Sequence, residues 1–87
     1  MTREEFISMA TTTDKIWDVT IKSDYMNGVL MAATVTSTDP DQITITTNRG
    51  DSMTLDISES EINVIDEDYK YSFAVAGITF IICESIF

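Results

Sequence analysis

One stretch of the sequence, residues 41–57, constrains the fold more than any other. Apolar residues occupy every second position in both of its arms, and a polar tip that contains Gly50 separates the arms. This pattern predicts a β-hairpin with one buried face and one solvent face. The rest of the chain must cover the buried face, which consists of Ile43, Ile45, Met53, Leu55 and Ile57.

The composition sets the size of the fold and the sign of its surface charge. The 87 residues predict a single domain over residues 1–87, and an apolar content of 44% is enough for one compact core. Fifteen acidic and five basic side chains give a net charge of −10. This balance opposes direct binding to nucleic acid and favours a basic protein as partner.

The cysteine and histidine counts exclude several classes of site. Cys83 is the single cysteine and there is no histidine, so neither an internal disulfide nor a structural zinc site is expected. The longest apolar run, residues 73–83, is about half the length of a membrane span. We therefore predict a cytoplasmic protein with no cofactor, no metal and no membrane contact.

The first half of the chain predicts one helix and two strands ahead of the hairpin. Thr2 and Glu5 fit a capping box at the start of a helix over residues 3–11. Residues 15–23 and 29–36 alternate as strands, and residues 24–28 are predicted as the turn between them, with Asn27-Gly28 as its strongest signal. Four aromatic residues are expected in the core, or, for any that are exposed, as anchors for a partner, namely Trp17, Tyr25, Phe73 and Phe80.

The C-terminal third predicts further strands. Residues 58–61 could form one helical turn, after which Ile62, Val64 and Ile65 are expected to return to the core. Residues 71–75 alternate as a strand, and Ala76-Gly77 is either a tight turn or a bulge. Residues 78–83 are apolar on both faces, which is typical of a central strand or of an edge that pairs with another molecule. The predicted fold is mainly β (α+β): a short N-terminal helix and a strongly bent antiparallel sheet, or small barrel, of five or six strands.

Several of these segments together resemble Sm-like and SH3-like small barrels over roughly residues 16–83. The resemblance implies a barrel that associates through edge strands. Sm-like proteins carry a basic or amide-rich signature near the last hairpin, whereas Lys70 is the single cation there, so the resemblance implies no RNA-binding residue in this chain. The segments that carry it are Gly28-Val29-Leu30, Asp39-Pro40-Asp41, residues 43–47, Arg49-Gly50-Asp51, residues 53–57 and residues 61–65.

A second likeness is to the small acidic inhibitors of phages and mobile elements, including anti-CRISPR proteins, and it rests on size, charge and the absence of a catalytic signature. It implies a non-enzymatic protein that blocks a basic partner, such as a nucleic-acid-targeting nuclease, by imitating nucleic acid. The acidic residues lie mostly in predicted turns, where carboxylates are usually solvated, so we predict no catalytic residue. The predicted partner-binding residues are Asp39, Asp41, Asp51, Asp56, Glu59, Glu61, Asp66, Glu67 and Asp68.

The alternative function is structural. An Sm-like or SH3-like subunit would assemble, as a homodimer or larger homo-oligomer, through the apolar C-terminal strand. The predicted interface residues are Phe73, Ile78, Phe80 and Ile82.

Overall fold

A computed structural model describes residues 1–12, 15–25, 27–66 and 69–85. The predicted mainly β fold is confirmed. Helix α1 precedes seven antiparallel strands in this part of the chain, and the sheet order is β4-β3-β2-β1-β7-β6-β5. The elements are α1 (Arg3–Ala10), β1 (Trp17–Lys22), β2 (Asn27–Asp39), β3 (Gln42–Thr46), β4 (Ser52–Asp56), β5 (Asn63–Asp66), β6 (Lys70–Val75) and β7 (Ile78–Glu84).

The sheet has one strand more than predicted, and it is open. The additional strand is β5, whose two apolar residues, Val64 and Ile65, are exposed instead of returning to the core. Closing a barrel would require β4 to pair with β5, but they lie at opposite edges of the described sheet. In the connection between them, the Ser60 hydroxyl donates to the Ala74 carbonyl of β6 at 2.6 Å. No helical turn forms at residues 58–61, because residues 58 and 59 are a turn and residues 60 and 61 are irregular.

Strand β2 bends the sheet around its core. Its first half pairs with β1 and its second half with β3, and the register with β1 shifts so that Met31 and Ala32 together oppose Asp18. Ala32 has a left-handed φ of 55°, and its N–H donates to the Asp18 carboxylate at 3.1 Å. Such a bulge increases local twist and bends the strand. Side chains from β3 and from β6 and β7 therefore meet in one core cluster.

The organising hairpin has the predicted form. Strands β3 and β4 pair Ile43 with Leu55 and Ile45 with Met53. At the tip, the N–H of Thr47 donates to the Asp51 carbonyl at 2.8 Å. The three-residue loop ends on Gly50, whose φ of 90° is readily adopted by glycine, and this arrangement is typical of hairpins with a bulged turn. Alternation alone was sufficient to predict this element.

The turn after β1 differs from the prediction, whereas the turn before β7 matches one of the two predicted alternatives. Asn27 and Gly28 do not form a turn, because they already pair with Lys22 and Ile21 as the first residues of β2. The described part of the predicted turn is Asp24 and Tyr25, where the chain bends, and Met26 lies outside the described residues. Ala76-Gly77 is the tight turn, because Val75 pairs with Ile78 and both turn residues have positive φ.

Helix α1 covers one side of the bent sheet. The predicted capping box is present, since the Thr2 hydroxyl accepts from the Glu5 N–H and the Glu5 carboxylate accepts from the Thr2 N–H, both at 3.1 Å. These bonds lower the pKa of Glu5, with the Thr2 backbone as the largest cause. Phe6 and Ala10 are buried on the sheet side of the helix. Phe6 lies edge-on to Phe73 with ring centroids 5.5 Å apart.

Candidate functional site

Acidic residues gather at the base of the organising hairpin. The N–H of Ile57 donates to the Asp41 carbonyl at 2.8 Å, so the strand ends that carry Asp41 and Asp56 are held side by side. Asp39 belongs to the same turn, because its carboxylate accepts from the N–H of Asp41 at 2.8 Å. Glu59 lines a shallow cleft together with Asp56. We call Asp39, Asp41, Asp56 and Glu59 the acidic corner.

The guanidinium of Arg3 contacts the acidic corner. Arg3, at the start of α1, forms an ion pair with Asp41 at 3.0 Å and donates to the Ser58 carbonyl at 2.6 Å. These contacts tie the helix to the base of the hairpin. The only other ion pair among the described residues joins Lys15 to Glu84. Three of the four carboxylates in the acidic corner therefore lack an ion-pair partner within the described chain.

The carboxylate of Asp56 is stabilised in its charged form. The Ser58 hydroxyl and the Ser58 N–H, the latter at 2.9 Å, both hydrogen-bond to this carboxylate and lower its pKa, with the side-chain bond as the larger cause. Arg3 adds a smaller electrostatic contribution in the same direction. Asp56 therefore stays negatively charged over a wider pH range than an ordinary aspartate.

This arrangement predicts a pH-dependent effect of Asp56→Asn. A carboxylate with a lowered pKa in the folded state stabilises the fold above its unfolded pKa, about 3.9, and loses that contribution as the pH falls through the folded value. We expect Asp56→Asn to lower the urea midpoint of unfolding at neutral pH. The difference in midpoint between the variant and the parent should disappear as the pH becomes acidic. Urea titrations at a series of pH values from neutral to acidic measure this difference.

Asp51→Asn is the matched control, because it also removes one charge from the hairpin. No described residue donates a hydrogen bond to the Asp51 carboxylate. We expect this variant to be at least as stable as the parent at neutral pH, through relief of like-charge repulsion. A pH-independent difference for Asp56→Asn would contradict the assigned role of Ser58.

The remaining predicted partner-binding residues do not join the acidic corner. Asp51 lies at the tip of the hairpin, at the opposite end of β4 from Asp56. Glu61 is exposed in the connection to β5, and Asp66 is exposed at the end of β5, opposite Lys70 in β6. Glu67 and Asp68 lie outside the described residues. Sequence alone grouped residues that the sheet order separates.

The residues predicted at an oligomer interface lie mostly inside the fold. Phe73, Phe80 and Ile82 are buried, and Ile78 is half-buried. Strand β7 lies between β1 and β6, so the central-strand interpretation is the observed one and β7 has no free edge. The apolarity of both faces reflects this central position.

An apolar groove that the sequence did not reveal lies beside β4. It encloses about 820 Å³ between β4 and the turn that joins β6 to β7. Met53 and Leu55 form one wall, and Ile21, Ile78 and Phe80 contribute to the rest. Alternation correctly assigned Met53 and Leu55 to the core face, but both stay half-exposed because β4 is an edge strand.

The rim of this groove carries an aromatic residue expected in the core. Tyr25 is 97% exposed, so its predicted burial is wrong. It follows Asp24 in the turn after β1, and both line the groove. An exposed aromatic ring next to an apolar groove is typical of binding surfaces.

Metal and membrane sites were also considered. Within residues 1–12, 15–25, 27–66 and 69–85, no three cysteine or carboxylate side chains converge as metal ligands. In the same ranges, no helix has the length and apolarity required to cross a bilayer.

No protein-family model, curated protein or solved structure shows significant similarity to this chain. The acidic corner and the groove are therefore the features of this chain that bear on its function.

Proposed function

We propose that this protein is a non-enzymatic binding module that uses its acidic corner to engage a basic protein. The observation that carries the proposal is the placement of Asp39, Asp41, Asp56 and Glu59 at the base of the organising hairpin, where Arg3 forms an ion pair with Asp41 alone among the described residues. The pairing of β3 with β4 brings these residues to the same end of the hairpin.

The accessibility and the negative charge of the acidic corner favour binding of cationic side chains. The surplus carboxylates are exposed or half-exposed, so a partner's arginine or lysine side chains can reach them without displacing the core. A net charge of −10 adds long-range attraction, which accelerates encounter with a positive surface. Both effects weaken with added salt.

The finer form of the proposal concerns the partner. Proteins that hold the phosphates of nucleic acid do so with lysine and arginine side chains, which make the binding surface strongly positive. We propose that the acidic corner occupies such a groove, as expected for a phage or mobile-element inhibitor that acts on a nucleic-acid-targeting nuclease, in the manner of an anti-CRISPR protein. The small size of the chain and its charge support this form.

A displacement experiment tests the proposal. A fluorescent oligonucleotide is bound to each of a panel of basic nucleic-acid-binding nucleases, and the protein is added at low and at high salt. We expect displacement from at least one nuclease at low salt, and we expect direct binding of the protein to that nuclease to weaken by about tenfold or more at high salt. Failure to displace the oligonucleotide from any nuclease at low salt contradicts the finer form.

Paired charge variants separate the acidic corner from net charge. Asp39→Asn/Glu59→Gln removes two charges from the acidic corner, and Asp51→Asn/Asp66→Asn removes two elsewhere. Asparagine at 39 keeps the oxygen that accepts from the Asp41 N–H, so both variants should fold. We expect the corner variant to lose at least fivefold more potency than the control. Equal losses would mean that net charge, and not the acidic corner, drives binding.

A further inference from the structure

The outer side of β4 carries backbone groups that the sheet leaves without a strand partner. The bonds from Thr47 to Asp51 and from Ile57 to Asp41 fix the alternation along the hairpin. Odd-numbered residues of β4 exchange hydrogen bonds with β3, and even-numbered residues point the other way. Since β4 is an edge of the described sheet, the outward N–H and C=O groups belong to Ser52, Thr54 and Asp56.

The apolar groove borders β4 on the face that carries Met53 and Leu55. Met53 and Leu55 alternate with the outward-pointing residues and direct their side chains to the groove. An extended segment paired with β4 would therefore place every second side chain over the groove. The remaining side chains would lie on the face of Thr54 and Asp56.

We infer that an extended segment of the partner protein, with alternating apolar and basic side chains, adds to the edge of β4. Its apolar side chains occupy the groove, and its basic side chains face Asp56 and the acidic corner. Backbone bonding to Ser52, Thr54 and Asp56 fits a segment of about five residues. This inference rests on the proposed function, because it specifies which part of the basic partner is held.

Charge complementarity selects a cationic occupant over an acidic one or a second copy of this chain. Asp56 is both the last residue of β4 and a member of the acidic corner, so the edge and the acidic corner are continuous. Asp24 is the charged residue among the described lining of the groove. A second copy would bring another −10 to this edge.

The probe is the synthetic peptide Ac-KVKIKVK-NH2, titrated against the isotopically labelled protein. We expect saturable binding with the largest amide shifts at Ser52, Thr54 and Asp56. Ac-EVEIEVE-NH2 and the block-ordered Ac-KKKKVIV-NH2 should bind at least tenfold more weakly, because the first has the wrong charge and the second cannot alternate.

A proline variant of β4 tests the edge directly. Thr54→Pro removes an N–H that points away from β3, so the hairpin can retain its own bonds. We expect at least a tenfold loss of peptide affinity with the folded circular dichroism spectrum retained. Thr54→Val is the matched control, because it removes the hydroxyl that contacts Thr44 at 3.0 Å but keeps the N–H, and it should bind like the parent.

N-methylated peptides test the same edge on the unmodified protein, so the test does not require the proline variant to fold. Two versions of the peptide carry N-methyl groups on alternate amides, and only one alternate set can face β4. One version should lose binding and the other should keep it. Equal binding of both, equal binding of the block-ordered or acidic peptide, or self-association of the protein through β4 would overturn the docking site.

The failure of this inference is distinguishable from failure of the proposed function. If the docking site is wrong, the protein still displaces oligonucleotides from a basic nuclease, and Thr54→Pro displaces them as well as the parent does. If the proposed function is wrong, no basic nuclease releases its oligonucleotide.

Discussion

Trp17→Ala is expected to destabilise the protein by about 3–5 kcal/mol. The indole is fully buried, its N–H donates to the Ala10 carbonyl at 3.1 Å, and its ring lies edge-on to Tyr71 at 6.3 Å between centroids. The substitution removes the largest core side chain, the contact that fixes the C-terminus of α1, and a ring-ring contact. For 87 residues the whole unfolding free energy is about 4–13 kcal/mol, so the variant would be largely unfolded at the lower end of this range.

Urea unfolding followed by circular dichroism measures this effect, because Trp17 is the single tryptophan and its fluorescence disappears with the substitution. Tyr25→Ala is the matched control, since it also removes an aromatic ring, but one that is 97% exposed. We expect the control to change the unfolding free energy by less than about 0.5 kcal/mol. A loss of under about 1 kcal/mol for Trp17→Ala would contradict its place in the core.

Phe6→Ala is expected to cost about 3–5 kcal/mol and to release α1 from the sheet. Phe6 is fully buried and meets Phe73 at 5.5 Å and Tyr71 at 6.1 Å between ring centroids. An eight-residue helix does not persist alone in water, so the loss of this anchor removes the helix together with the contact. The expected signature is faster hydrogen exchange in residues 3–10 than in β3.

Ser8→Ala controls for helix propensity, because Ser8 is exposed on the same helix. Alanine is the better helix former, so this variant should keep or slightly raise stability. Protection of the helix amides in Phe6→Ala at the level of the parent protein would show that Arg3 and the capping box, rather than Phe6, hold α1 in place.

Local sequence patterns predicted the elements that are specified by interactions between residues close in sequence. The hairpin of β3 and β4 followed from strict alternation around Gly50, and α1 from the Thr2 and Glu5 capping box. Both signals act between residues close in sequence, so the sequence contains all the information they need. The same alternation placed Trp17 and Val19 on the buried face of β1.

Predictions failed where the outcome depends on distant partners. Asn27-Gly28 commonly forms a hairpin turn, but here the pairing of Lys22 with Asn27 extends the strand through it. Val64 and Ile65 are apolar yet exposed, because β5 lies at the edge of the sheet and nothing in the described chain covers it. Tyr25 lies in the connection after β1, where none of the described residues buries its ring.

The candidate site was predicted only in part, because its assembly also depends on contacts between residues distant in sequence. Asp39 and Asp41 adjoin in sequence, but Asp56 and Glu59 reach them only through the pairing of β3 with β4 and the contacts of Arg3. Asp51, which belongs to the same hairpin, is carried to its opposite end by the length of the strand.

The sequence by itself determined a mainly β chain with a capped N-terminal helix, a core of alternating apolar residues and a strongly acidic surface, because these properties depend on composition and short-range periodicity. The tertiary structure alone decided the sheet order, the bend at Ala32, the free edge of β4 and the grouping of four carboxylates. Each of these depends on which strands pair across long stretches of chain. That choice is made by the collective packing of the core, and no local pattern encodes it.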